Sequence, residues 1–220
     1  MALPISVFLL LGLGIVMVAA VIAAFIIYER KRAEKLEAIC KELGLRFVAK
    51  DDGTLFDALS HFRLFSEGTG RKIRNVFLGQ ADDREIAIFG YRYTVPHGKN
   101  NQTIQQTVMS FRSEQLNLPQ FEMRPESFLH KIGKAFGMQD INFEDHPTFS
   151  KKYLLRASDE AAVRGVFNDN VLRHFAQNTG VNVEADGNRL IYYRAASRVS
   201  PNQIRMFMEE GFRVVGLFQR

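Results

Sequence analysis

The sequence predicts an α+β chain: one N-terminal transmembrane helix, an antiparallel β-meander with flanking helices, and a C-terminal ferredoxin-like βαββαβ unit. Three observations lead there. The first 28 of 220 residues carry no charged side chain. Residues 73–123 contain strand-like runs separated by turn signals. Residues 151–220 alternate strand-like and helix-like segments in the order β-α-β-β-α-β, that of a split βαβ unit. Composition excludes other classes. A single cysteine cannot build an intrachain disulfide framework, and 19 Phe with 46% apolar residues exclude a disordered chain.

From Ile5 to Tyr28 only Ser6 has a polar side chain. Those 24 residues form a helix of roughly 36 Å, enough to cross a hydrocarbon core of about 30 Å. A cleavable signal is disfavoured, because the run is long and no basic residue precedes it. Arg30, Lys31, Arg32 and Lys35 follow the span directly. They predict an N-terminus outside and residues 29–220 in the cytoplasm, with a bacterial inner membrane as the setting. The same four residues are candidates for contact with an anionic surface. Gly12 and the pairs Ala19/Ala23 and Ala20/Ala24 are candidates for helix packing, since small residues four apart let a second helix approach.

Residues 29–43 continue as a helix. Leu36, Ile39, Cys40 and Leu43 form one apolar stripe, Glu37/Lys41 is a favourable pair four apart, and Gly44 is the stop. Cys40 lies on the stripe, so a packed thiol is favoured over a reactive one. Thr54-Leu55-Phe56-Asp57 has the form of a capping box. Strands are expected over 73–80, 85–95, 103–112 and 118–123. Pro125 then opens a helix carrying Phe128, Leu129, Ile132 and Phe136, closed by Gly137.

In the last third, a strand over 152–157 precedes a helix capped by Ser158, with Val163, Val166, Phe167, Val171 and Phe175 inside and Gly180 at its end. Asp186-Gly187 turns a hairpin. Ser200-Pro201-Asn202-Gln203 opens a second helix, ended by Gly211, and 212–218 is expected as the last strand. The boundaries are 1–28 anchor, 29–44 juxtamembrane helix, 45–140 α+β subdomain, 141–150 linker, and 151–220 ferredoxin-like subdomain.

Chemistry-bearing motifs are scarce. The five histidines form no pair three or four apart, and Glu144-Asp145-His146 is read as a solvated loop. Gly68-Thr69-Gly70-Arg71-Lys72 lacks Walker spacing and precedes a strand rather than a helix. No catalytic, cofactor or metal residue is assigned, and no cofactor is expected. The charge surplus lies in residues 151–220, with 11 basic against 7 acidic residues. Tyr192 and Tyr193 among arginines do not fit an RNA-recognition pattern, so nucleic acid is disfavoured as a partner.

The strand Ile88-Phe89-Gly90-Tyr91-Arg92-Tyr93-Thr94 and the stretch from Tyr153 to Tyr193 resemble a loose class of bacterial single-span inner-membrane proteins. The resemblance covers most of residues 75–195. It implies an anchored protein and carries no activity, cofactor or catalytic residue. The expected function is a membrane-anchored, non-catalytic adaptor or accessory subunit of a membrane protein complex, its partners being the lipid bilayer and a membrane protein. Two alternatives stand beside it. One is an anionic-lipid or membrane-surface binding domain. The other is an enzyme whose site is assembled from dispersed residues such as Tyr91, Tyr93 and His97.

Overall fold

A single helix, α1 (Ile5–Glu42), carries the apolar segment and runs unbroken into the body of the protein. In this computed structural model the described residues are 5–81, 83–98, 100–126 and 139–219, with backbone alone for 5–11. Pro125, expected to open a helix, instead ends a strand opposite Tyr153, and Phe128 to Gly137 of that expected helix lie outside the described residues. The most apolar window of α1 has a mean hydropathy of 2.3, none of it buried, so the helix is long and apolar enough to cross a membrane. Its second half packs down. Leu36 and Cys40 are buried in the main core, with Ile39 and Leu43 against it, as the stripe predicts. The outer side carries Arg30–Glu34 and Lys41–Glu37 pairs at 3.1 and 2.8 Å. Gly44, at φ 70, terminates the helix.

The strands follow as β1 (Arg46–Lys50), β2 (Thr69–Ala81), β3 (Arg84–His97), β4 (Asn100–Arg112), β5 (Leu118–Pro125), β6 (Gln139–Asp140), β7 (Tyr153–Ala157), β8 (Asn182–Gly187) and β9 (Arg189–Tyr193). They make one sheet in the order β1-β2-β3-β4-β9-β8-β5-β7-β6, with every pairing antiparallel. The meander of β2, β3 and β4 is as expected, with longer strands. The loop expected at 96–101 is instead a tight hairpin in which His97 faces Asn100. The remaining α-helices among the described residues are α2 (Thr54–Leu59), α3 (Pro147–Lys152), α4 (Glu160–Val166), α5 (Asp169–Gln177) and α6 (Ile204–Gly216).

The C-terminal part departs from the ferredoxin-like reading. Residues 212–218 form no strand: α6 continues through Gly211 to Gly216. Ile204, Phe207, Gly211, Val214, Val215 and Phe218 lie along one helical stripe, and all but the glycine belong to the main core. Gly211 is there for space. A Cβ on it would meet the Met109 sulfur at 2.6 Å and the Phe111 ring at 3.3 Å, because α6 lies directly on β4. A Gly211→Leu change is expected to cost about 1–3 kcal/mol despite the better helix propensity of leucine. A thermal melt that matches the parent would refute this close packing.

The single helix expected after Ser158 is two. Asp159, not Ser158, caps α4 by accepting from the Ala162 N–H, and Asn168 caps α5 by accepting from Asn170 and Val171. Both carry the predicted buried stripe. The capping box at Thr54 is also replaced. Gly53 is the cap residue in the left-handed region, and the Asp51 carboxylate accepts from the Leu55 and Phe56 N–H groups at 3.1 Å.

Strand β5 does not lie beside β4, its neighbour in sequence; it sits between β8 and β7, while β9 pairs with β4. The stretches 45–140 and 151–220 therefore contribute to one sheet. Residues 141–150 are packed rather than open: Ile141 and Phe149 are buried, and the Ile141 N–H donates to the Leu155 carbonyl at 2.8 Å.

Two cores lie on the two faces. The larger joins α1, α4, α5 and α6 to residues such as Phe77, Ile88, Met109 and Phe111. The smaller gathers Leu59, Phe62, Phe65, Ile73, Val76, Phe89, Tyr91, Tyr93 and Tyr193 under α2 and the turn Arg63–Ser66. A β-bulge in β2 serves both. Asn75, at φ 52, lies where the register with β3 shifts, so that Ile73 and Val76 share one face although three positions apart.

Candidate functional site

Two places hold polar groups in arrangements that ordinary packing does not require. The first is a cleft where α1 leaves its apolar segment and passes over the edge of the sheet. It has a volume of about 640 Å³. Phe25, Ile26 and Ala33 line it from α1, and Phe77, Ile88 and Gly90 from the sheet. Its depth has a local origin. Ala33 is small, and Gly90 adds no side chain between Arg74 and Thr107, its cross-strand neighbours.

The charged lining is almost all basic: Arg30, Arg32, Lys50, Lys72, Arg74, Arg92 and Arg198, against Glu29 as the sole carboxylate among the lining residues. Two of these cations are neutralised. Arg198 grips Glu29 through both guanidinium nitrogens at 2.7 and 2.5 Å, and Arg30 pairs with Glu34. The bond from Arg198, with the charges of Arg198, Arg32 and Arg74, holds the Glu29 carboxyl below its usual range against the opposing effect of burial. Arg32 turns inward. It is 9% exposed, donates Nη2 to the Val199 carbonyl at 2.7 Å, and leaves Nε without a partner. Burial and neighbouring Arg198 push its pKa down.

Lys50, Lys72, Arg74 and Arg92 are exposed and have no carboxylate partner among the described residues. They are also aligned. Lys50 lies directly opposite Arg74, and Lys72 directly opposite Arg92. Like charges in directly opposed positions destabilise a sheet, so this row is a cost to the fold.

The second place is a buried charge network on the other face. Arg124, on β5, donates Nη1 to Glu67 at 2.7 Å, contacts Glu122 through Nε, and lies 3.7 Å from Glu184. Arg63 lies 3.7 Å from Glu67 and 3.5 Å from Glu122. The Tyr193 hydroxyl donates to Glu184 at 2.9 Å, and Tyr93 to Glu67 at 3.1 Å. Three carboxylates thus face two guanidiniums. Glu184 accepts the Leu64 N–H at 3.3 Å but has only a long contact to Arg124, and burial pushes its pKa up to about 7. Burial alone would lower the pKa of Arg124, but Tyr193 and the carboxylates outweigh it and raise it.

The sequence-predicted residues fall out as follows. Gly12, Ala19, Ala20, Ala23 and Ala24 lie on the exposed half of α1. Lys31 and Lys35 are exposed and outside the cleft, whereas Arg30 and Arg32 line it. Cys40 is fully buried, bonds the Leu45 carbonyl at 3.3 Å, and has a thiol pKa pushed up to about 11 by burial. Tyr91 and Tyr93 are buried with ring centroids 5.5 Å apart, but His97 stands at the exposed hairpin end, so the three do not form one site.

His146 pairs with Asp169 at 3.0 Å, and no group of three metal-ligating side chains converges among the described residues. Gly68 and Gly70 take left-handed φ values of 57 and 62, and Arg71 ties the turn to the Ser66 and Gly68 carbonyls. Tyr192 and Tyr193 are buried on opposite faces, so neither ring is presented to solvent.

Five of the eleven basic residues of 151–220 are ion-paired. Arg164, Arg173, Arg194, Arg198 and Arg205 pair with Glu160, Asp169, Glu210, Glu29 and Glu42. An aligned row of cations with no ion-pair partner among the described residues lies on β1, β2 and β3. Its signal was the charged alternation of Lys72 with Arg74 around buried Ile73. For the network, the signal was Glu122, Arg124 and Glu184 interleaved with apolar residues inside strands.

No family model and no curated protein matches the chain. Among solved structures, the chain is similar in fold to the mycobacterial trehalose monomycolate transport factor A, TtfA, with a TM-score of 0.61 at 14% identity, over 86% of this chain and 93% of that one.

Proposed function

We propose that this protein is a membrane-anchored, non-catalytic accessory subunit of a membrane transport assembly, with residues 29–220 in the cytoplasm beneath a bacterial inner membrane. The observation that carries the reading is α1 itself. One unbroken helix joins an apolar half, exposed from Gly12 onward, to a half clamped onto the body of the protein by Leu36, Cys40, Arg32–Val199 and Arg198–Glu29. Such a helix transmits position rigidly between a membrane partner and the domain. The basic residues after the span support the orientation. The fold likeness to TtfA, a mycobacterial transport factor, supports the setting.

The test is native mass and co-purification of the endogenous full-length protein in mild detergent. The protein is expected to travel stoichiometrically in a larger assembly. Exchanging residues 5–28 for an unrelated single span, or introducing Ala19→Leu with Ala23→Leu, is expected to reduce partner recovery by about tenfold if the small residues admit a second helix. A chain that runs alone, or recovery unchanged by both replacements, would refute the role assigned to the span.

A further inference from the structure

We infer that the cleft between α1 and the β1–β3 edge binds the headgroup of an anionic phospholipid, its phosphate held by Lys72, Arg74 and Arg92 and its glycerol end against Phe25 and Ile26. The inference uses the insertion of α1 in a bilayer but not the accessory role.

Four features point to that ligand. The first is the charge row. Lys50 opposite Arg74 and Lys72 opposite Arg92 repel one another across the sheet, and among the described residues none of the four is ion-paired; Glu29, the carboxylate that feels the charge of Arg74, is already gripped by Arg198. Repulsion of this kind is relieved by a bound anion, and a phosphodiester oxygen accepts from lysine and arginine together.

The second is shape. A volume of about 640 Å³ lies within the range of small-ligand sites. Ala33 and Gly90 keep it open, and a Cβ on Gly90 would approach the Arg74 carbonyl to 3.3 Å.

The third is the wall. Phe25 and Ile26 belong to the last turns of the apolar segment, and both line the cleft. The site therefore sits at the level where a bilayer presents headgroups, with an apolar side toward the acyl chains. A free phosphate would use the cations and leave this wall in water. The fourth is Arg32, nine-tenths buried at the cleft with its Nε unpartnered. A second anion acceptor there would satisfy it.

The full chain, purified in an uncharged detergent, is to be titrated with dihexanoyl phosphatidylglycerol, dihexanoyl phosphatidylcholine and inorganic phosphate, with binding read by calorimetry and stoichiometry by native mass spectrometry. One phosphatidylglycerol per chain is expected, about tenfold or more tighter than phosphatidylcholine, with inorganic phosphate weaker than either lipid. Lys72→Glu with Arg74→Glu is expected to abolish the preference while leaving the thermal melt at or above that of the parent, since both side chains are exposed and each glutamate then faces a cation across the strands. Ala33→Phe, which fills the cleft without touching its charge, is expected to weaken both lipids.

Lys151→Glu, a basic residue on α3, serves as the control and is expected to bind like the parent. Equal affinity for the two lipids would overturn the charge recognition. Phosphate binding as tight as the lipid would overturn the lipid as occupant. Undiminished phosphatidylglycerol binding in a folded charge-reversed variant would place the lipid elsewhere and overturn the site. None of these outcomes depends on whether the protein co-purifies with a partner, so the two readings fail separately.

Discussion

Replacing Arg124 by methionine is expected to destabilise the fold by about 3–5 kcal/mol, a fall in Tm of roughly 10 °C for a domain of this size. The guanidinium is 8% exposed and stands among Glu67, Glu122 and Glu184, none of which exceeds 9% side-chain exposure. Methionine preserves length and apolar packing, so the loss isolates the charge. With Arg124 gone, Arg63 remains within 4 Å of Glu67 and Glu122 but not of Glu184. Glu67 and Glu122 then keep only the longer contacts to Arg63, and Glu184, already raised by burial, loses the cation that favoured its charged form. Chemical denaturation of the full chain in mild detergent measures the effect; a loss below about 1 kcal/mol would show that the pairs contribute little beyond their desolvation cost.

The second large effect concerns pH. Burial holds the folded-state pKa of Glu184 at about 7, above the ordinary carboxylate value of 4.5. The folded protein therefore binds this proton more tightly than the unfolded chain does. Its contribution is fully present below about pH 4.5 and is lost as pH rises through about 7, on the order of 3 kcal/mol in all. Glu184→Gln stays neutral throughout, and its amide oxygen still accepts from Tyr193. The variant is expected to lose that slope, so that its Tm changes less between pH 5 and pH 8 than the parent's. Parallel Tm–pH profiles for the two proteins would show that Glu184 is ionised in the native state across this range.

The fold was legible where local chemistry decides it. Gly44 stops α1, and the hairpin between β8 and β9 is where the sequence puts it, although one residue later, with Asp186 paired to Arg189 and the turn at Gly187-Asn188, Gly187 at φ 56. Val163, Phe167, Val171 and Phe175 are buried. Residues 212–218 were misleading because a β-branched apolar run is common to strands and buried helices. The stripe that settles the matter begins at Ile204, on the other side of Gly211. That glycine reads as a stop only when β4 is left out of view. The position of β5 had no local signature either, since its partners β8 and β7 lie far along the chain and pairing is chosen by packing on both faces.

The candidate sites divide in the same way. The anchor and its basic flank were plain from residues 5–35, because hydropathy and charge near a membrane act without knowledge of the fold. Which of those basic residues face inward was not. Arg32 turns toward Val199 and Arg198 reaches Glu29 only because the segment after β9 crosses α1. The spanning-length helix, the strand and helix periods, the approximate place of the hairpin and the lack of a catalytic motif can all be read from neighbours within a few residues. Tertiary structure alone decided that Glu67, Glu122, Glu184 and Arg124 meet in a dry interior, and that Lys50, Lys72, Arg74 and Arg92 form one unpaired row beside the membrane helix. Those groups are brought together by strand register and by the docking of α1, and electrostatic energy depends on separation in space, not along the chain.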